Sequence, residues 1–200
     1  IIEKLNEKIP KEKVEEAIRL KYKRKRIDEV SEGFYEIRGT ITEVSDSINI
    51  TRICENCFKK VAYEYGRNLC PNCGEVDRVD FFLSTRMTLD DGFGTIRVSL
   101  LREKAEELVG KTPEEMLEEL EQKGLPLEAY PIDHIIDKLL GKEVIVRGRV
   151  KYNELIQSFE IICDFMEDAD PDTEAKLILE RLTKKLERKR ENEYNTNYRP

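Results

Sequence analysis

Apolar and polar residues alternate with a period of two in several stretches of this chain. Between residues 33 and 52, Tyr35, Ile37, Gly39 and Ile41 alternate with Glu36, Arg38, Thr40 and Thr42, which predicts one long strand. Over 79–89, Phe81, Leu83, Thr85, Met87 and Leu89 share one face, and Phe82, Ser84, Arg86 and Thr88 share the other. Asp90-Asp91-Gly92 then signals a turn. A third strand over 94–101 puts Ile96, Val98 and Leu100 inside and Thr95, Arg97 and Ser99 outside. The period changes over 102–140. A helix starts at Arg102, and a second starts with Thr112 as N-cap and Pro113 in the first turn. Met116, Leu117 and Leu120 form its apolar face, and Gly124 and Pro126 end it. Ile132, Ile135, Ile136 and Leu139 mark a third. Alternation returns at residue 142, with Val144, Val146, Gly148 and Val150 opposed to Arg147, Arg149 and Lys151. Tyr152-Asn153-Glu154 turns the chain into a fifth strand over 156–166.

The two ends read as helices. Residues 3–26 carry Ile9, Val14, Ala17, Ile18 and Leu20 at helical spacing, with Pro10 opening the second part. They close on Lys21-Tyr22-Lys23-Arg24-Lys25-Arg26, five positive charges in six residues. Such a run is either a solvated helix end, where cations meet the negative pole of the dipole, or a phosphate contact. Beyond Asp170-Pro171-Asp172-Thr173, the residues Ala175, Ile178, Leu179, Leu182 and Leu186 fall on one helical stripe. A lone terminal helix with such a seam needs a partner surface; folding back on its own domain is the alternative. Residues 194–200 should be loose.

Three strands, a helical connection and two more strands is the order of an OB-fold, a small Greek-key barrel. The chain is therefore expected to be mainly β with helices. Residues 1–30 form an N-terminal helical linker, 31–168 the barrel, and 169–200 an assembly helix and tail. The barrel carries two additions, a cysteine-bearing segment at 52–76 after its first strand and a helical insertion at 102–140. The stretch 112–139 exceeds what a minimal barrel needs.

Composition narrows the function. The chain has 200 residues, 38% of them charged, and a formal net charge of −7. That argues against an indiscriminate polycation coating duplex DNA, while leaving room for a local basic groove. The single histidine, His134, nearly excludes hydrolytic triads and HExxH zinc sites, and is expected on the surface or in packing. There is no phosphate-binding glycine loop, no apolar run long enough to span a bilayer and no signal-like segment. An intracellular, cytoplasmic protein without a membrane partner is expected. The first residue is Ile1, which suggests a piece of a longer chain.

Four of the five cysteines form two pairs, Cys54-Glu55-Asn56-Cys57 and Cys70-Pro71-Asn72-Cys73, with twelve residues between them. Each CxxC turn aims two sulfurs at one point, and two such turns close a tetrahedral zinc shell with bonds of about 2.3 Å. A disulfide pair fits poorly without a secretory signal, and a redox motif needs one CxxC beside a βαβ unit. One zinc per chain, held by Cys54, Cys57, Cys70 and Cys73, leaves no coordination position for water and reads as structural. Such sites supply on the order of 10 kcal/mol of folding energy. Cys163, among Ile161, Ile162 and Phe165, reads as a core residue.

A barrel with a four-cysteine knuckle in its first loop and a C-terminal apolar helix resembles the large subunit of replication protein A. The resemblance is to that subunit's C-terminal OB domain, in an archaeal version, over residues 30–190. It implies single-stranded DNA binding in replication, repair and recombination. It also implies a heterotrimer with two smaller OB-fold subunits, joined by a three-helix bundle through Ala175, Ile178, Leu179, Leu182 and Leu186. Other replication proteins are further expected partners, and no enzymatic activity is expected. Single strands expose base faces for aromatic stacking and phosphates for basic side chains. The strand parity and turn positions pick Phe82, Arg86, Phe93, Arg97, Arg149 and Tyr152 as the contacts. Arg147, Lys151, Tyr63, Tyr65, Lys59, Lys60 and Arg67 lie around them. Three alternatives remain at this stage: an N-terminal module of a minichromosome-maintenance-type helicase, a zinc enzyme, and a zinc-stapled assembly scaffold that hardly touches DNA.

Overall fold

A computed structural model describes Lys13, Ala17 and residues 20–126 and 130–197, without the side chains of Arg181 and 191–197. Most of the expected N-terminal helix, including Ile9, Pro10, Val14 and Ile18, lies outside the described residues, as do 198–200. The chain divides into two units, residues 1–167 and 168–200.

Among the described residues before Pro171, ten strands and three α-helices follow in order, with a short 3-10 helix at Ile27–Glu29 besides: β1 (Lys23–Arg24), β2 (Gly33–Val44), β3 (Asn49–Cys54), β4 (Ala62–Glu64), β5 (Arg67–Cys70), β6 (Gly74–Glu75), β7 (Val79–Asp90), β8 (Thr95–Leu101), α1 (Glu103–Val109), α2 (Pro113–Lys123), α3 (Asp133–Leu139), β9 (Glu143–Asn153) and β10 (Ser158–Asp168). The main sheet runs β1-β2-β9-β10-β8-β7-β3, and an extra β2–β7 pairing closes β2, β9, β10, β8 and β7 into a barrel. The closing β8–β10 pairing is parallel and the β2–β7, β2–β9 and β7–β8 pairings are antiparallel. This is the OB-fold expected from the strand order.

The alternation reads through to the core. Ile37, Ile41, Leu83, Leu89, Val98, Val146, Val150 and Ile161 are fully buried, and Thr85 is buried with them. Cys163 belongs to the same cluster. At Gly148 the sheet closes so tightly that a Cβ would lie 2.1 Å from the Ile162 carbonyl oxygen. The helical insertion forms as its caps dictate. Thr112 and Glu115 make a reciprocal capping box, Pro113 occupies the first turn, and Gly124 ends α2 in the left-handed region. Met116, Ile135 and Leu139 seal the insertion onto the barrel core, while His134 is exposed.

Two sequence expectations need correction. The stretch 33–52 is two strands, β2 and β3, because the chain turns through Ser45–Ser47, where the Ser47 N–H donates to Ser45 Oγ. β3 then pairs with the start of β7, Thr51 opposite Phe82. The basic run also does not continue a helix: Lys23 and Arg24 form a strand parallel to β2. Long-range contacts override the local pattern there. Tyr22 is buried, donates to Asp164 at 2.7 Å and meets Phe34 and Phe165 edge-on. Ile27 is buried and its N–H donates to Asp91.

The second unit holds α4 (Pro171–Asn197), 27 residues, or about 40 Å of helix. Asp170 caps it by accepting from the Thr173 N–H. The Thr173 hydroxyl, and then that N–H, hold the Asp170 carboxyl below its usual range.

Candidate nucleic-acid interface and metal centre

The four cysteines lie where the expected knuckle needs them. Cys54 ends β3 and Cys70 ends β5 of a small β4-β5-β6 sheet. Their four Sγ atoms lie within 4.8 Å of one another; ideal tetrahedral thiolates around zinc sit about 3.8 Å apart. The first CxxC turn is fixed by the Phe58 N–H donating to the Cys54 carbonyl and the Cys54 N–H to the Lys59 carbonyl. In the second, the Cys73 N–H points at Cys70 Sγ at 3.4 Å, and Gly74 follows with φ +78°. The thiols are not equivalent. Burial pushes Cys70 up, but the N–H groups of Asn72 and Cys73 and the neighbouring thiols bring it down to about 7. Cys73, hydrogen-bonded to Cys57 and partly desolvated, is pushed up to about 12. Four crowded sulfurs that share protons are suited to a divalent cation, which removes the protons. The donor set, the spacing and the buried pair Cys54 and Cys70 fit a metal, and they are compatible with zinc. Beneath the cluster the knuckle has a small apolar centre of its own, Val61 with Val76 and Val79.

The outer face of β7 and β8 carries the expected arginines. Arg86 pairs with Ser99 and Thr88 with Arg97, so the two arginines are diagonal neighbours on one face, about 7–8 Å apart at the backbone. Both line an open groove of about 410 Å³ with Glu43, Val44, Ser45, Asp46, Met87 and Thr88. The Ser45 N–H donates to the Arg86 carbonyl, which holds the end of β2 against β7. Neither arginine is in an ion pair among the described residues. Glu43 and Asp46 are the residues that sequence reading missed. Glu43 accepts from the Thr88 hydroxyl at 3.0 Å, so this groove is mixed in charge.

The other four expected contacts are dispersed. Phe82 lies further up the outer face of β7, half-buried, with the Arg102 guanidinium 4.9 Å from its ring centre. Arg102 also pairs with Asp80 at 3.2 Å, and its φ of 49° is strained for a residue with a side chain. Phe93, 61% exposed at the β7–β8 turn, has the Arg26 guanidinium 4.3 Å above it. Arg149 stands exposed on β9 opposite Phe34. Tyr152, next to the last residue of β9, packs edge-on against Phe159 and is half exposed. Arg147, expected on the outer face beside Arg149, is neutralised between Glu36 at 2.7 Å and Glu167 at 2.8 Å. On the knuckle, Tyr65 is fully exposed, and Tyr63 lies under the Arg52 guanidinium at 4.2 Å. The arginine–aromatic pairs join residues distant in sequence, so no local signal announces them.

On α4 the stripe Ala175, Ile178, Leu179, Leu182 and Leu186 is exposed along its whole length. No helix among the described residues is long and apolar enough to cross a membrane.

The barrel is similar in fold to a chain of a solved replication protein A heterotrimer bound to ssDNA, with TM-score 0.57 and 13% identity, covering 81% of this chain and 40% of that one. It is equally similar to a chain of yeast RPA bound to ssDNA, with TM-score 0.56 and 19% identity, covering 82% of this chain and 97% of that one. This chain thus spans less than half of the first of these relatives and nearly all of the second. No curated protein sequence matches it. The family described as replication factor-A C terminal domain matches residues 34–178, which takes in the barrel, the cysteine knuckle, the helical insertion and the start of α4. By that match the chain belongs to the replication factor-A C-terminal domain family.

Proposed function

We propose that this chain is a single-stranded DNA-binding subunit of a replication protein A-like heterotrimer. It protects single strands in replication, repair and recombination, and acts by binding without catalysing a reaction. The observation that carries this reading is the groove on β7 and β8, where Arg86 and Arg97 face outward from a barrel of the replication factor-A C-terminal family. Their guanidinium groups track phosphates and release counterions. Phe82 and Phe93 offer ring faces at either end of the same hairpin, and Arg102 and Arg26 hold those rings. Arg149 and Tyr152 extend the contact towards the β9–β10 turn. Zinc, held by Cys54, Cys57, Cys70 and Cys73, is structural: it fixes the knuckle that ends β3 and starts β7. The stripe on α4 joins this subunit to two smaller OB-fold subunits. The protein works in the cytoplasm, on the nucleoid of an archaeal cell.

Two variants test the two halves of this reading. Arg86→Ala with Arg97→Ala should reduce the salt slope of single-strand binding by about 1.4, since each phosphate contact on a single strand contributes about 0.7. An unchanged slope would move the DNA to another face. Leu182→Asp should abolish co-purification of the partner subunits while leaving zinc content unchanged; assembly that survives it would mean the stripe serves another purpose.

One observation favours a second reading, an assembly scaffold with little DNA contact. Glu43 and Asp46 line the same groove as the two arginines and offset their charge. On that reading the Arg86 and Arg97 variant binds DNA as weakly as the parent, and only the Leu182 variant has a phenotype.

A further inference from the structure

A ten-residue stretch in the middle of α4 has a charge character opposite to the chain as a whole. Residues 181–190 contain six basic residues and one acidic one, a net of +5 in a chain whose total is −7. The helix puts three of these charges on one face. At 100° per residue, Lys184, Lys185 and Arg188 fall on one side, their mean direction roughly 130° from that of the apolar stripe. Glu180 and Glu187 fall on a third side. Lys184, Lys185 and Arg188 are exposed, and none of the three is in an ion pair among the described residues. A partner helix that covers Leu182 and Leu186 leaves Lys184 and Arg188 open, with Lys185 at the edge of the apolar stripe. No aromatic or aliphatic residue interrupts that row, so it presents charge and hydrogen-bond donors with nothing to read a base.

We propose that this basic row is a second phosphate-binding face, occupied by the sugar–phosphate backbone of single-stranded DNA. The inference rests on the single-strand reading above and adds a contact that the barrel does not contain. Charge complementarity argues for a polyanion: three positive charges share one helix face in an otherwise acidic protein, an arrangement that attracts an anionic ligand. A single strand, being flexible, can follow the row through its phosphates with its bases turned away. The apolar stripe and the basic row together let one helix join subunits and hold DNA at once.

The test uses the full chain and a fluorescent 30-nucleotide oligothymidine, with anisotropy titrations between 50 and 200 mM salt. The parent is compared with the triple variant Lys184→Gln, Lys185→Gln, Arg188→Gln. Removing three single-strand phosphate contacts should lower the salt slope by about 2, so that the parent loses roughly 20-fold more affinity than the variant across this salt range. Circular dichroism should show the helix retained. A second variant, Arg188→Lys, keeps the charge and should keep the slope, because a point charge suffices at a phosphate. An unchanged slope in the triple variant, with Arg86→Ala and Arg97→Ala still lowering it, would overturn this inference and leave the barrel reading standing. No single-strand binding by the parent would overturn both. A preference for duplex over the single strand, lost in the triple variant, or a triple-variant defect seen only with anionic vesicles, would reassign the row to that ligand and overturn the proposal.

Discussion

Gly148 is the position where one added carbon should do the most damage. It lies on β9, beside its sheet neighbour β10. A Cβ there would sit 2.1 Å from the Ile162 carbonyl oxygen, 2.9 Å from the Ile162 carbonyl carbon and 2.9 Å from Ile161 Cγ1. Two of those three atoms are backbone, so no side-chain rotation relieves the overlap. The strands must part by about 1 Å, which strains a packed core at about 1–3 kcal/mol and weakens one or two ladder hydrogen bonds worth about 1 kcal/mol each. Gly148→Ala should therefore cost about 2–5 kcal/mol. With a urea m-value of about 2 kcal/mol/M, the unfolding midpoint of the zinc-loaded protein falls by roughly 1–2.5 M. Gly74→Ala is the control. It meets nothing within 4 Å but has φ +78°, so it carries only the left-handed strain of about 1–2 kcal/mol. A Gly148 variant whose midpoint moves by less than roughly 0.5 M, or less than the Gly74 variant's, would refute the close approach of β9 and β10.

Three other outcomes follow from the same structure. Stripping the metal with a chelator should melt β4, β5 and β6 and leave the barrel folded, because Val61 and its neighbours form a cluster separate from the main core. Four thiols should then react quickly with a disulfide reagent, and near-ultraviolet and amide-exchange signals of the barrel should persist. Cys163 should stay unreactive until global unfolding, since burial pushes its thiol up to about 12. Glu119 is held at about 2 by Lys111 and then by Lys123, its distance to Lys123 being 2.6 Å. Its folded value is depressed, so its contribution to stability is present above about 4.5 and is lost as pH falls towards 2. Lys111→Ala with Lys123→Ala should return the Glu119 carbon shift titration to the ordinary carboxylate range by NMR; a titration still near 2 would assign the depression to another group.

Much of this fold is legible because its strands have one wet and one dry face. The alternation of Leu83, Thr85, Met87 and Leu89 against Phe82, Ser84, Arg86 and Thr88 fixes which side of β7 is buried, and the register bears it out. The Thr112–Glu115 box and Gly124 mark α2 for the same reason: capping is local chemistry. The CxxC pairs are legible because metal geometry imposes spacing. What the sequence hides is what distant residues decide. Tyr22 looks like part of a charged helix end until Asp164, 142 residues away, accepts its hydrogen bond, and just beyond it the Ile27 N–H is held by Asp91. Parity puts Arg147 beside Arg149 on the outer face; only the fold reveals that Glu36 and Glu167 neutralise it. The same holds for Glu43 and Asp46, whose place in the arginine groove depends on how the end of β2 closes on β7.

Salt-dependent binding of single-stranded DNA tests the central claim most directly. Fluorescence anisotropy at two salt concentrations, with a duplex of the same sequence as control, is measured on the chain alone and with co-expressed partner subunits. Binding that prefers the single strand, weakens with salt and loses slope in the Arg86 and Arg97 variant is the result this account predicts. Absence of single-strand binding, alone and in the assembled complex, would contradict it and leave a metal-stapled assembly scaffold as the function of the barrel.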